Sequence, residues 1–407
     1  MQSTLVPLTR SHGICARICK PLQSSAQTRK LYDMARAAAL LLASSVLLLT
    51  SGGVLAVGCG GTVTTVSGLG GFTDLDWHPT QSKLVGLKGS TGNTGKIFQL
   101  DVSSNGDFAE SVMAGSTTTG YQDSATLTLA QFEEMHKAKW STDGNKVAVS
   151  SGTQTTQPDD TDYKIRVITL DSPGVETVVT ATNSQSSETA FTALAWKGTD
   201  TILYVERNGT SHHLRQVVAS TKTVFEHMTL EKSDLFGPYA SQTGRDTIVD
   251  MVFADDTTVY ALAHQESAGD GFIKQEAHIL TIDLNAKTVT TLVNSTKMIK
   301  DIYASGPQPD VSDSIAISRD KNFLAVTFLK SIFVARISDV KVAEVAESSQ
   351  QSRWFHGVAW NKHEISDSDS LVFSDAEETK TATGNMCSSG NAPSRPPSTL
   401  AAYIQLW

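Results

Sequence analysis

The sequence predicts an all-β fold built from six four-stranded antiparallel blades, and three observations carry that expectation. A motif of an apolar strand end, a polar turn and an alternating strand occurs six times: LDWHPTQSKLVGL (75–87), AKWSTDGNKVAVS (138–150), LAWKGTDTILYV (194–205), MVFADDTTVYAL (251–262), IAISRDKNFLAV (315–326) and VAWNKHEISDSDSLVF (358–373). Trp77, Trp140, Trp196 and Trp360 share one position of it, with Phe253 and Ile317 in the other two copies. After each copy come two more strand-like runs, such as KIRVITL then VETVVT, with no strong helical period between them. Four-stranded units at a regular repeat are the signature of a β-propeller.

Taken in order, the chain opens with residues 1–33, read as an extension that is not native or not structured. Met34 starts a segment with one charge at Arg36, an uncharged run from Ala37 to Gly58, and then small residues. That is the layout of a secretory signal peptide over 34–58. Ala56-Val57-Gly58-Cys59 resembles the bacterial lipobox, which implies acylation of Cys59 and a tether of residues 59–61 ahead of a propeller over 62–407. Plain secretion and an uncleaved signal anchor are the competing readings of the same run. Gly60, rather than Asp, follows the cysteine, which favours the outer membrane or another extracytoplasmic face over retention at an inner membrane.

TVTTVS (62–67) precedes the first motif and belongs to no repeat. The last repeat supplies FHGVAW, SLVF and AAYIQLW as its first three strands and lacks a fourth. The N-terminal strand is therefore expected to complete that blade and close the ring, hiding two sheet edges. In the turn STDGNK, Asp143 is expected to bond local backbone and Gly144 to take positive φ. The Trp stripe reads as packing between neighbouring sheets.

WSTDGNKVAV resembles the W-S-P-D-G-K motif of TolB-type, WD-repeat-like propellers, and the similarity runs from residue 69 to 407 with the other copies degenerate. The resemblance implies the fold and says little about function. A lipidated cysteine so close to the first blade departs from TolB, so membership of the Tol system is not implied.

Charge narrows the partners. Net charge is −9, and the first 58 residues hold six of the 33 basic and one of the 42 acidic residues, which leaves 27 basic against 41 acidic and a net of −14. Phosphate binding needs a basic surface, so nucleic acid is excluded as a partner. Of the four cysteines, Cys15 and Cys19 lie in the N-terminal extension and Cys387 has no nearby base, so the sequence holds neither a disulfide framework nor a thiol nucleophile.

The first and second strands of each blade, and the third and fourth, are joined by short turns. The remaining connections are long: 114–133, 151–163, 226–245, 263–276, 293–310 and 374–399. Function is expected on that long-loop face. Asp159, Asp160 and Asp162 are its weak calcium candidates, lacking the glycine and distal glutamate of an EF-hand. His212 and His213 are adjacent and point to opposite faces of a strand, so they do not share a metal. The leading reading is a lipid-anchored, non-catalytic binding or scaffold propeller of the cell envelope, attached to the membrane through Cys59, with a protein partner and no cofactor. The alternative is a hydrolase or lactonase with a metal in the central channel, for which Asp74, His136, Asp250 and Asp313 are the candidate ligands. There is no GxSxG nucleophile elbow.

Overall fold

The computed structural model describes residues 62–66, 69–88, 96–103, 107–117, 120–122, 133–154, 161–170, 174–181, 191–208, 211–237, 246–269, 272–294, 299–303, 314–328, 331–347, 355–362, 370–375 and 379–383. All belong to one compact unit, Ala56–Trp407. Residues 1–61, with the signal segment and Cys59, lie outside the described residues.

The fold is all-β, a propeller of antiparallel four-stranded blades. The chain begins with β1 (Thr62–Thr65). The first blade follows as β2 (Asp74–Trp77), β3 (Lys83–Lys88), β4 (Lys96–Val102) and β5 (Phe108–Thr117), with a short β6 (Gly120–Gln122) added outside. The second is β7 (Glu133–Trp140), β8 (Lys146–Gln154), β9 (Thr161–Thr169) and β10 (Gly174–Ala181). The third is β11 (Phe191–Lys197), β12 (Thr201–Asn208), β13 (Ser211–Val218) and β14 (Thr223–Leu230), and a five-residue helix α1 (Lys232–Phe236) comes after it. The fourth is β15 (Asp246–Phe253), β16 (Thr258–Gly269), β17 (Phe272–Asp283) and β18 (Thr288–Val293), with β19 (Ile299–Tyr303) paired onto the far end of β17. The fifth is β20 (Ile315–Ile317), β21 (Phe323–Phe328), β22 (Ser331–Arg336) and β23 (Lys341–Glu347). The last sheet runs β24 (Phe355–Trp360), β25 (Ser370–Asp375), β26 (Thr379–Thr383) and then β1.

Strands β2, β7, β11, β15, β20 and β24 touch one another in that cyclic order and return to β2. Apolar cores fill the spaces between adjacent sheets. Each tryptophan of the repeated motif packs back on the preceding blade: Trp77 on Ala359 and Val372, Trp140 with Val85 and Leu87, Trp196 with Ala148 and Ile165, and Trp360 with Phe323 and Ala325. The stripe is thus packing, because an indole is wide enough to bridge two splayed sheets.

The turn chemistry follows the sequence. Asp143 Oδ1 accepts from Ser141 Oγ at 2.6 Å and from the Asn145 amide at 3.2 Å, while Gly144 sits at φ 74°. The fifth blade repeats the turn with Asp320 accepting from Ser318 Oγ at 2.6 Å and from the Asn322 amide at 3.0 Å, and Lys321 occupies the positive-φ position at 61°. A degenerate copy keeps the aspartate and forgoes the glycine.

Two sequence expectations need correction. The third strand of the last sheet is β26, TKTAT, and not AAYIQLW (401–407), which lies outside the described residues. β25 ends at Asp375 and β26 starts at Thr379, so the first part of the connection expected over 374–399 is a paired hairpin, and residues 384–399 lie outside the described residues. Much of the other long connections is also strand. The β16–β17 ladder continues out to Gly269 opposite Phe272, β8–β9 to Gln154 opposite Thr161, and β5–β6 forms a hairpin.

The expected closing strand is where the sequence places it, with Thr62 to Thr65 opposite Thr383 to Lys380. Val66 packs against the Leu69–Phe72–Trp77 core. A chain beginning at Gly68 should therefore melt below one beginning at Gly60, by about 2 kcal/mol if four lost pairings contribute ~0.5 kcal/mol each. Thermal unfolding of the two chains decides it, and indistinguishable curves would show that β1 contributes nothing to closure.

Candidate functional site

The propeller axis is lined by the first strand of each blade, and in four of them that strand carries the same irregularity. A register shift falls between Met135 and Lys137, Phe191 and Ala193, Ile248 and Asp250, and Phe355 and Gly357. A bulge there bends the strand and re-aims the next side chain. That next residue lies three before the shared aromatic position. Along the six first strands it reads Asp74, Lys137, Ala193, Asp250, Ser314 and Gly357.

The small residues admit the large ones. Gly357 leaves no space for a side chain, since a Cβ would lie 3.0 Å from the Leu75 amide nitrogen and 3.1 Å from the Asp74 carbonyl carbon. The four polar groups meet instead, joined by Lys139 two residues further along β7. Lys139 Nζ donates to Asp250 Oδ2 at 3.0 Å and to Asp74 Oδ1 at 3.3 Å. Lys137 Nζ is 3.8 Å from each of the same two oxygens. Ser314 Oγ donates to Asp250 Oδ2 at 3.0 Å, the Ile315 amide to the same oxygen at 3.1 Å, and the Ala138 amide to Asp74 Oδ2 at 2.8 Å. Both aspartates are fully buried and both lysines nearly so.

Among the described residues two aspartates and two lysines face one another inside the channel. Burial pushes Asp74, Asp250 and Lys139 toward their neutral forms, and their charged partners oppose it. For Asp250 burial is outweighed by Lys137 and Lys139, and its carboxyl is held below the ordinary range. For Asp74 burial wins over Lys139 and Lys137, and its carboxyl is raised. Burial would lower Lys139, but Asp250 and Asp74 outweigh it and hold the ammonium charged.

Beyond this plug the channel widens into a cavity of about 240 Å³ toward the short-turn end of the blades. Its wall is largely apolar, with Trp140, Trp196, Phe253, Ile317 and Trp360. At its rim Lys362 Nζ donates to Asp76 Oδ1 at 3.0 Å, and Asp76 Oδ2 accepts the Trp140 amide at 2.8 Å, which ties three blades together. This cavity lies on the face opposite the long connections.

Of the proposed channel ligands, Asp74 and Asp250 do come together. His136 is a bulged residue with its ring 6.4 Å from Tyr163, outside that cluster, and Asp313 lies outside the described residues. Asp159 and Asp160 also lie outside them; Asp162 is a β9 residue opposite Thr153. Cys387 is not described. His212 is buried while its neighbour His213 reaches Thr229 Oγ1 at 3.1 Å on the outer side, so the pair faces two ways. Among the described residues no group of three or more His, Cys, Asp and Glu side chains is placed to hold a metal. The sequence reading missed Lys137, Lys139 and Ser314. The signal was present, because two lysines in the strand KAKW sit where a first strand should be buried, and lysine is rarely buried without a carboxylate partner.

The architecture and this axial cluster define a β-propeller whose channel is closed by its own side chains. The chain resembles TolB-type and WD-repeat-like propellers. Solved structures similar to it include TolB from Acinetobacter baumannii, at 10% identity over 75% of this chain and 64% of that one, TM-score 0.41. The Nup133 β-propeller domain from Vanderwaltozyma polyspora shows 12% identity over 80% and 97%, TM-score 0.44. An oligogalacturonate lyase in complex with manganese shows 9% identity over 79% and 90%, TM-score 0.42. This chain spans less than two thirds of the TolB chain. No family model and no curated protein sequence matches it.

Proposed function

We propose that the chain is a lipid-anchored, non-catalytic propeller of the bacterial cell envelope, six-bladed and closed by β1, that binds a protein or other envelope ligand through its long-loop face. The observation that carries the non-catalytic part is the placement of Lys137 and Lys139 on Asp74 and Asp250. A channel metal needs free carboxylate lone pairs, and here three of the four carboxylate oxygens accept from an ammonium, a hydroxyl and two backbone amides, while the buried Asp250 Oδ1 alone has no hydrogen-bond partner among the described residues. A cation entering would have to displace the two buried lysines from Asp74 and Asp250. The long-loop face is favoured for binding because its connections are built out as ordered strands. The β16–β17 hairpin with β19 makes a three-stranded extension of the fourth blade, which carries paired backbone outward on that face.

The envelope address rests on the signal layout of residues 34–58 and the box ending at Cys59. Metabolic labelling with a palmitate analogue tests it. Label and membrane association are expected in the unsubstituted protein and absent in Cys59→Ala. Equal label in both would remove the anchor from the account.

A further inference from the structure

We propose that the outer edge of the third blade is a homodimer interface, in which β14 pairs antiparallel with β14 of a second copy about a two-fold axis through Val224. The proposal stands whether or not the chain is lipidated.

The first observation is exposure. Among the described residues only two large hydrophobic side chains are exposed, Val224 at 44% and Phe225 at 50%, and they are neighbours on β14. The second is position. β14 is the outermost described strand of its sheet, so one row of its backbone donors and acceptors faces away from β13. Outer strands are ordinarily protected by charge or polar residues. Three other blades follow that practice, with Glu176 exposed on β10, Thr288, Thr290 and Thr291 on β18, and Lys341 on β23. β14 departs from it at the two residues where a partner strand would gain most.

The third observation selects the occupant. The segment reads Lys222-Thr223-Val224-Phe225-Glu226. In an antiparallel pairing of two copies centred on Val224, Lys222, the turn residue at φ 57° that leads into β14, comes to the end of the paired stretch beside Glu226 of the second copy, and Glu226 beside its Lys222. Val224 meets Val224, and each Phe225 lies opposite Thr223 and diagonal to the other Phe225, within reach of an aromatic ring. Charge, aliphatic and aromatic positions are all self-complementary in that one register, as a two-fold interface requires. Centring instead on Phe225 would set Val224 against Glu226 and lose both ion pairs.

The charges are available for exchange. Lys222 Nζ is 2.8 Å from Glu176, and Glu226 accepts from Arg215 at 3.2 Å and from Thr229 Oγ1 at 3.0 Å, the charge pairs being 49% and 59%, and 28% and 45%, exposed. Such surface pairs hold their partners weakly. The far end of the edge is closed off. A register shift between Leu214 and Arg215 leaves His227 bulged, so the straight edge runs only from Thr223 to Glu226. An interface this short sits at the weak end of specific contacts.

Cysteine placement tests the register in the full-length protein in detergent. Directly opposite residues on paired strands have Cα atoms about 4.5–5.5 Å apart, within disulfide reach, whereas diagonal neighbours are at about 7–8 Å. Under mild oxidation Val224→Cys is expected to give a linked peptide pair through position 224, and Phe225→Cys to give none through 225. Reading the linked peptides separates these products from any formed by the chain's own cysteines. A second arm uses charge. Lys222→Glu alone and Glu226→Lys alone should each weaken self-association about tenfold, and mixing the two variants one to one should restore it, because the mixed pair regains both ion pairs. Sedimentation velocity over a range of concentrations reads this arm. Equal linkage at 224 and 225, no linkage at either, or no rescue on mixing would each overturn the proposal, including the outcome in which the strand serves an unrelated partner.

Discussion

Replacing Asp250 with alanine is expected to destabilise the protein by about 3–5 kcal/mol, the largest single effect anticipated for a side chain on the axis. The substitution takes from Lys137 and Lys139 one of their two carboxylates among the described residues, deprives the Ile315 amide of its acceptor, and leaves the Ser314 hydroxyl only its longer contact with Asp74 Oδ1 at 3.4 Å. The measurable signature is non-additivity. Asp250→Asn combined with Lys139→Met removes one charge of each sign and restores neutrality, so the double variant should lose much less than the sum of the singles in denaturant titrations. The pH dependence has a defined sign. A carboxylate depressed in the folded state contributes stability that is present above its unfolded value, about pH 4, and is lost as pH falls through its folded value; Asp250 is in this class. Lys139, raised by its two aspartates, contributes stability present below about pH 10 and lost as pH rises through its folded value. Asp74 is raised, so its protonation in acid relieves part of its burial cost and makes the acid limb shallower. Asp250→Asn should flatten the Asp250 share of that limb.

Gly144→Ala is the second large effect, and it reaches across a blade boundary. Gly144 lies at φ 74°, where an L side chain costs about 1–2 kcal/mol. A Cβ there would also fall on the His78 imidazole of the first blade. That ring is fixed on three sides: Nδ1 accepts from the Thr80 and Gln81 amides at 3.1 and 3.0 Å, so Nε2 carries the proton and donates to the Gly144 carbonyl at 3.2 Å. It also packs edge-on against Trp140, with centroids 4.8 Å apart. Displacing it breaks the turn, the ring contact and a latch between blades, for a total of about 2–4 kcal/mol. Replacing His78 with alanine should relieve the clash, so His78→Ala with Gly144→Ala is expected to cost less than the two separately. Strict additivity in thermal or denaturant unfolding would contradict the contact.

What the sequence made legible follows from what apolar patterning can encode. The aromatic position and the alternating strands that follow it were readable because each blade buries them against the preceding one, so the pattern is forced in every copy. β26 was not readable, since TKTAT carries only one apolar residue and lies beside a strand of its own kind, β1. The outward extensions of β16 and β17 were read as loop for the same reason, because HQESAG and FIKQEA pair through backbone that the sequence does not display. At the axis, Asp74 and Asp250 stood out as acids at strand ends. Their neutralisation could not be seen, because it joins residues as far apart as Asp74 and Ser314, 240 positions along the chain, through the ring itself. A search for ligand-bearing side chains alone passes over Lys137 and Lys139, which change the meaning of both aspartates.

The central claim is that the channel is closed by its own ions and does not await a metal. Isothermal titration of the metal-stripped protein with calcium and with manganese tests it most directly, in the unsubstituted chain and in Asp74→Asn. The account predicts no stoichiometric binding at the axis, so that any heat is unchanged by the substitution. One equivalent bound in the unsubstituted chain and lost in Asp74→Asn would show a cation displacing the lysines, and would return the channel to catalysis.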